Sequence, residues 1–140
     1  MRILAVDPGE KRIGIAISDP TGTIANPLTA VQHTSCRVDA ATIADLANQY
    51  QAGLIVIGKS FDEEGLSTPA SRNADRLAEA IGQQCDIPLT MWDESFSTQD
   101  ARQARIEMGT SRRKRHGHLD ELAATVILQS YLDAQILQNL

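Results

Sequence analysis

The sequence predicts an α/β protein built on a mixed five-stranded sheet, three antiparallel strands followed by two parallel ones, with helices on both faces. Three observations carry that expectation. The first third of the chain alternates at period two, the middle switches between helical spacing and short β-branched runs, and the end is a long stretch at helical spacing.

Ile3 to Val6 reads as the first strand. In the second, Ile13 to Ser18, the residues Ile13, Ile15 and Ile17 share one face, while Gly14, Ala16 and Ser18 take the other. Asp19-Pro20-Thr21-Gly22 is a turn sequence, Pro setting φ and Gly closing it, so the third strand, Ile24 to Val31, should return antiparallel. The period then changes. Ile43, Leu46, Ala47 and Tyr50 recur at helical spacing from about Val38 until Gly53 ends the run. Leu54-Ile55-Val56-Ile57 is a continuous apolar run, the pattern of a central strand covered on both faces. Thr68-Pro69 reads as an N-cap followed by proline at the first helical position, and Ala74, Leu77, Ala78 and Ile81 form the buried stripe of that helix. Pro88 to Trp92 is the last strand. Ser97-Thr98-Gln99-Asp100 resembles a capping box opening a helix to about Met108, with a loop after Gly109. Leu119 to about Leu137 is a long helix with Leu122, Ala123, Val126 and Ile127 on its apolar side.

A chain of 140 residues suits one domain spanning 1–140. No apolar run approaches a membrane span, and Asp7 follows too few apolar residues for the core of a signal peptide, which predicts a cytoplasmic protein. Cys36 and Cys85 lack CxxC or metal-ligand spacing and read as reduced thiols. The net charge of −5 would argue against a polyanion partner if it were evenly spread. It is not: Arg102, Arg105, Arg112, Arg113, Lys114 and Arg115 stand against Glu107 alone, so this strip carries +5 and the remainder −10. A basic strip on an acidic body points to a local phosphate-binding site, with a solvated loop as the plainer reading.

Gly53 to Ser60 matches the phosphate-loop expression G-x-x-x-x-G-K-[ST], but its four middle residues are the most strand-like in the chain and an acidic cluster, Asp62-Glu63-Glu64, follows. That reading is dismissed. The carboxylates tell more. Asp7 ends the first strand ahead of the Pro8-Gly9 turn, with the cations Lys11 and Arg12 close by; Asp93-Glu94 ends the last strand; Asp120 opens the last helix. Each alone reads as a polar turn or helix-start residue. Together, oxygen ligands on three separate elements with no His or Cys set suit Mg²⁺ or Mn²⁺ rather than zinc. His33 reads as a strand-end surface residue, and His116 and His118 as loop residues. Trp92 and Tyr131 read as core.

With these residues in place the chain resembles the YqgF/RuvX family, ribonuclease-H-like proteins described as Holliday junction resolvases or pre-16S ribosomal RNA nucleases. The resemblance covers nearly the whole chain. It is carried by Asp7 through Asp19 (DPGEKRIGIAISD), by Val56-Ile57-Gly58 with Gly65 downstream, by Trp92-Asp93-Glu94-Ser95-Phe96-Ser97-Thr98, and by His118 through Gln129 (HLDELAATVILQ). It implies a ribonuclease-H-like fold and a metal site of Asp7, Asp120 and the acidic pair, with Glu94 ahead of Asp93 as the ligand. Two departures bear on substrate grip. Lys59-Ser60 stands where the family has Leu-Pro, and Ser95 stands where it has an arginine, which removes a planar phosphate fork for which Lys59 could partly substitute.

The leading function is therefore a metal-dependent endonuclease that hydrolyses nucleic-acid phosphodiester bonds, with Lys11, Arg12, Lys59 and the run Arg112, Arg113, Lys114 and Arg115 as nucleic-acid contacts. An actin-like or sugar-kinase-like phosphotransferase also opens with an Asp-x-Gly turn but needs two such domains. A catalytically silent nucleic-acid-binding or ribosome-assembly module is the third reading, against which clustered like charges count unless a cation offsets them. Pre-ribosomal RNA and branched DNA both remain as substrates; a junction resolvase needs two symmetric sites and so a homodimer, whereas trimming an RNA end needs one site.

Overall fold

The computed structural model describes residues 1–94 and 119–139. Among the described residues, five strands and three helices follow one another as β1 (Arg2–Asp7), β2 (Arg12–Ser18), β3 (Ala25–Gln32), α1 (Cys36–Gln49), β4 (Ala52–Lys59), α2 (Pro69–Gln84), β5 (Leu89–Asp93) and α3 (Leu119–Gln138). The strands lie in one sheet in the order β3-β2-β1-β4-β5. Its first three form an antiparallel meander, and β4 and β5 add parallel to β1. This is the predicted mixed sheet. The expected helix over 97–108 and the basic loop after it lie outside the described residues.

Strand alternation sorts side chains to two cores. Leu4 and Val6 of β1, the three isoleucines of β2, and Ile55 and Ile57 of β4 pack against α1 (Ala40, Ile43, Ala47) and α2 (Ala74, Leu77, Ile81). The alternate residues Ile3, Ala5, Ala16 and Val56 pack on the opposite face against Ala124, Leu128 and Leu132 of α3. Helices thus cover both faces, and β4 is buried from both sides as its unbroken apolar run demands. All of the phosphate-loop expression but Ser60 falls inside β4, so its backbone is extended and cannot cradle a phosphate.

Local chemistry sets the boundaries. Asp19 closes the β2–β3 turn, its carboxylate accepting from the backbone N–H groups of Thr23 (2.8 Å) and Ile24 (2.9 Å) and from the Thr21 hydroxyl. Ile24, expected to open β3, stays in that turn and is exposed. The start of β3 is clamped to α3 instead: Gln129 accepts from the Ala25 N–H at 2.9 Å and donates to the Thr23 carbonyl at 3.1 Å. In α2, Thr68 Oγ1 accepts from the Ser71 N–H and Ser71 Oγ from the Thr68 N–H, a reciprocal cap that substitutes serine for the usual acid. The buried stripe of α3 differs from the expected one. Ala124, Ile127, Leu128 and Leu132 are buried, while Leu122, Ala123 and Val126 are only partly covered. The helix is apolar on most of its surface, so periodicity alone does not select the face that meets the sheet.

Candidate active site

Two carboxylates reach one end of the sheet by simple alternation, and a third comes from the helix that covers it. Asp7 ends β1 two residues after Ala5 and therefore looks toward α3. Trp92 of β5 packs on the α3 side, where its indole N–H donates to Ser130 Oγ at 2.8 Å and its ring meets Tyr131 edge-on at 5.3 Å. Glu94, two residues on, reaches the same side and shares a hydrogen bond with Asp7. Asp93 has the opposite parity, and lines a shallow acidic recess with Asp62 and Glu63. The structure thus puts Glu94, and not Asp93, against Asp7.

Asp120 arrives from the first turn of α3, and two glycines let it come close. Gly14, the register partner of Asp7, faces α3 so closely that a Cβ there would sit 1.9 Å from the Asp120 carbonyl oxygen. Gly58 on β4 does the same for Glu94: a Cβ would come within 2.9 Å of both Glu94 Oε1 and Ile127 Cδ1. Each strand position carries hydrogen where any other side chain would push an acid away.

The electrostatics follow from this crowding. The Asp7 carboxyl is pushed up to about 8, first by burial, then by the Glu94 hydrogen bond and by the negative charges of Glu94 and Asp120. Two carboxyl groups in contact hold a proton between them when no cation offsets the charge. Asp120 pairs with Arg12, whose Nε donates to Oδ2 at 3.0 Å. Among the described residues no three acidic, histidine or cysteine side chains are gathered tightly enough to cage an ion. The oxygen-only pair of Asp7 and Glu94 nonetheless fits a hard divalent cation, which can take the place of the shared proton.

The cations predicted for phosphate contact are dispersed. Lys11 and Arg12 are exposed beside the β1–β2 turn, and Arg12 is spent on Asp120. Lys59 faces the α1–α2 side, where its Nζ donates to both oxygens of Asp75, at 2.9 and 3.1 Å, and stands 5.1 Å over the ring of Phe61. It is not brought to the carboxylates. Arg112, Arg113, Lys114 and Arg115 lie outside the described residues. One polar pair went unseen in the sequence: buried Asp39 of α1 accepts from His33 Nδ1 and from the Thr34 N–H. Asp39 occupies a first-turn position where an acid ordinarily faces solvent, so no sequence signal marked it.

A mixed sheet in this order with helices on both faces is a ribonuclease-H-like fold, and acids stand at the carboxyl ends of β1 and β5 and at the start of the covering helix. Solved structures with that architecture include Thermus thermophilus RuvC in complex with a Holliday junction substrate (TM-score 0.65, 13% identity, 97% of this chain and 96% of that one). The fowlpox virus resolvase in complex with Holliday junction DNA matches with a TM-score of 0.61 at 15% identity, over 97% and 99% of the two chains. At such identities the likeness is one of fold. The chain belongs to the RuvX family, whose model, described as a Holliday junction resolvase, matches residues 1–134. Among curated relatives, the "Putative pre-16S rRNA nuclease" of Thermoanaerobacter pseudethanolicus is 40% identical over 136 residues, covering 96% of this chain and 98% of the relative. The protein of the same name from Syntrophus aciditrophicus is 42% identical over 134 residues, covering 96% and 89%. Family and relatives together support a nuclease, a hydrolase acting on nucleic acid.

Proposed function

We propose that this chain is a metal-dependent endonuclease, a single nuclease domain that hydrolyses phosphodiester bonds with pre-ribosomal RNA as its first substrate. The observation that carries the reading is the contact between the Asp7 and Glu94 carboxyls at the sheet edge, with Asp7 raised to about 8. Clustering acids in this way is costly unless a cation is part of the working state. Asp7 and Glu94 would hold Mg²⁺ or Mn²⁺, with Asp120 completing the set and Asp93 left outside it. When bound, such an ion acts as a Lewis acid toward water and phosphate. RNA takes precedence over branched DNA because the relatives at about 40% identity carry the RNA name, whereas the solved resolvases share only the fold.

The chain's own residues do the positioning. The Trp92–Ser130 hydrogen bond ties the end of β5 to α3, which fixes the segment leading into Glu94. Gly14 and Gly58 leave the space in which the acids meet. Arg12 holds the Asp120 carboxylate and, being half-exposed, can exchange that partner for a phosphate oxygen. Lys11 and the basic run Arg112 to Arg115 would grip the backbone without reading bases. Lys59 joins them only by releasing Asp75.

The test is a cleavage panel with purified protein, Mg²⁺ or Mn²⁺, precursor 16S ribosomal RNA and a four-way DNA junction. Wild-type protein should cut the RNA, and Asp7→Asn should fold and bind yet cut at background level. Combining Asp7→Asn with Asp120→Asn should be scarcely worse than either alone, because ligands of one site fail together. Cleavage at the wild-type rate by Asp7→Asn would remove the site. A wild-type protein that ignores Mn²⁺ and cuts neither substrate would be the silent binding module, and one that cuts only the junction should be a dimer.

A further inference from the structure

The Pro8-Gly9 turn that carries the chain away from Asp7 also walls a second cavity, of about 400 Å³, on the α1–α2 side of the sheet. Its position is set by topology. His33 follows β3, which runs parallel to β1, and the first turns of α1 and α2 both start from the same edge of the sheet. The cavity therefore opens at the carboxyl ends of the strands, where open α/β sheets bind ligands. The Asp7–Glu94 pair lies across the same turn on the other face. In volume the cavity suits a single small polar molecule.

Its lining is of mixed polarity. Arg76, exposed on α2, has no ion-pair partner among the described residues. Asn73 stands one turn before it. His33 contributes a ring whose Nδ1 is committed to the buried Asp39 carboxylate, so Nε2 is the atom available to a ligand. Asp39 is only 2% exposed and takes a second hydrogen bond from the Thr34 N–H, which fixes the imidazole rather than leaving it to rotate. The positive end of α1, whose cap Ser35 and first residue Cys36 line the cavity, adds to these donors. Glu10, at the rim, is the opposing acceptor. A bare anion would meet Glu10 unfavourably. A nucleotide satisfies both halves, with its phosphate on Arg76 and a helix start, its base amino group on Glu10, and its ring plane on the apolar surface of Pro8 and Leu77.

We propose that this cavity seats one nucleotide of the substrate strand, flanking the phosphate that is cut, so that the Asp7–Pro8–Gly9 segment divides a cutting side from a gripping side. The proposal rests on the nuclease reading for its biological meaning, but its first test involves neither metal nor cleavage. Adenosine 5′-monophosphate titrated into the full chain should shift the His33 imidazole ¹H–¹⁵N signals saturably. Arg76→Ala should weaken that binding at least about tenfold, as removal of a charged hydrogen bond does, and Asn73→Ala should weaken it less. Both positions are exposed, so folding survives. In cleavage assays Arg76→Ala should raise KM with kcat retained, and a single abasic position next to the cut should bring wild-type KM to that of the variant. Unmoved His33 signals would overturn the proposal and leave the nuclease reading standing. Equal binding of inorganic phosphate would reduce the cavity to an anion site and also overturn it. Saturable nucleotide binding by a chain that never cuts would sink the nuclease reading alone.

Discussion

Replacing Gly14 by alanine isolates the contact that brings Asp120 to the sheet. The new Cβ would lie 1.9 Å from the Asp120 carbonyl oxygen, 2.6 Å from its carbonyl carbon and 3.4 Å from the Ala124 side chain. Carbon atoms sit best at about 3.5–4.0 Å from their neighbours, so the start of α3 must retreat by about 1 Å or more. Both obstacles nearest the new atom are backbone, and no side-chain rotation relieves them. Overpacking of this kind costs about 1–3 kcal/mol, and for a chain of this length that lowers Tm by about 3–10 °C. Because the retreating turn carries a site carboxylate, cleavage should fall by about 100-fold, the usual consequence of a 1 Å misplacement. The assay is thermal unfolding paired with metal-dependent cleavage. Gly82→Ala is the control: it lies inside α2 with its nearest neighbour, Leu89 Cδ1, at 3.5 Å, so it should gain up to about 0.5–1 kcal/mol and cut normally. A Gly14→Ala protein that melts and cuts like its parent would refute the close approach of α3.

The raised Asp7 carboxyl makes metal-free stability fall as pH rises: between its ordinary 3.8 and the folded value of about 8 the native state holds a proton that the unfolded chain has released. Metal-free Asp7→Asn should therefore melt above the parent at pH 8 and alongside it near pH 4, as differential scanning fluorimetry would show; equal melting at pH 8 would exclude crowding of the acids. Asp19 behaves in the opposite sense, because hydrogen bonds from Ile24, Thr21 and Thr23 hold its carboxyl well below the usual range. Its contribution is present above pH 3.8 and disappears as pH falls toward the folded value, so the Tm deficit of Asp19→Ala should be full at pH 7 and narrow below pH 4. Neutralising Arg112, Arg113, Lys114 and Arg115 together should weaken binding of all sequences alike and flatten the salt slope, measured by anisotropy, by up to about 0.7–0.9 for each phosphate that the protein ceases to neutralise. An unchanged slope would leave the strip a solvated loop.

Element type was legible wherever one local rule governed it. The isoleucine alternation in β2, the unbroken apolar run of β4 and the Thr68-Pro69 start of α2 each have a single low-energy reading, and each formed as written. The acids at Asp7, Asp93-Glu94 and Asp120 were visible as strand-end and helix-start residues, because polar groups ending apolar runs must sit at an edge of the sheet. Other features depend on partners distant in the chain. Alternation says that Asp93 and Glu94 face opposite ways; only the packing of Trp92 on α3 decides that Glu94 meets Asp7. Lys59 read as a phosphate contact, but its strand parity turns it to Asp75 on α2. Apolar over most of its surface, α3 could have met the sheet along several stripes, and the hydrogen-sized gaps at Gly14 and Gly58 select the one that buries Ala124 and Ile127. The buried Asp39–His33 pair joins residues only six apart, yet it forms only once α1 folds back beside the end of β3. The type and order of the described elements, and the edge positions of the acids proposed for the site, follow from period and polarity along a few neighbouring residues. Which faces meet, which acid turns inward and where charge is paired were decided by the tertiary structure, because close packing acts between residues whose separation along the chain carries no local signal.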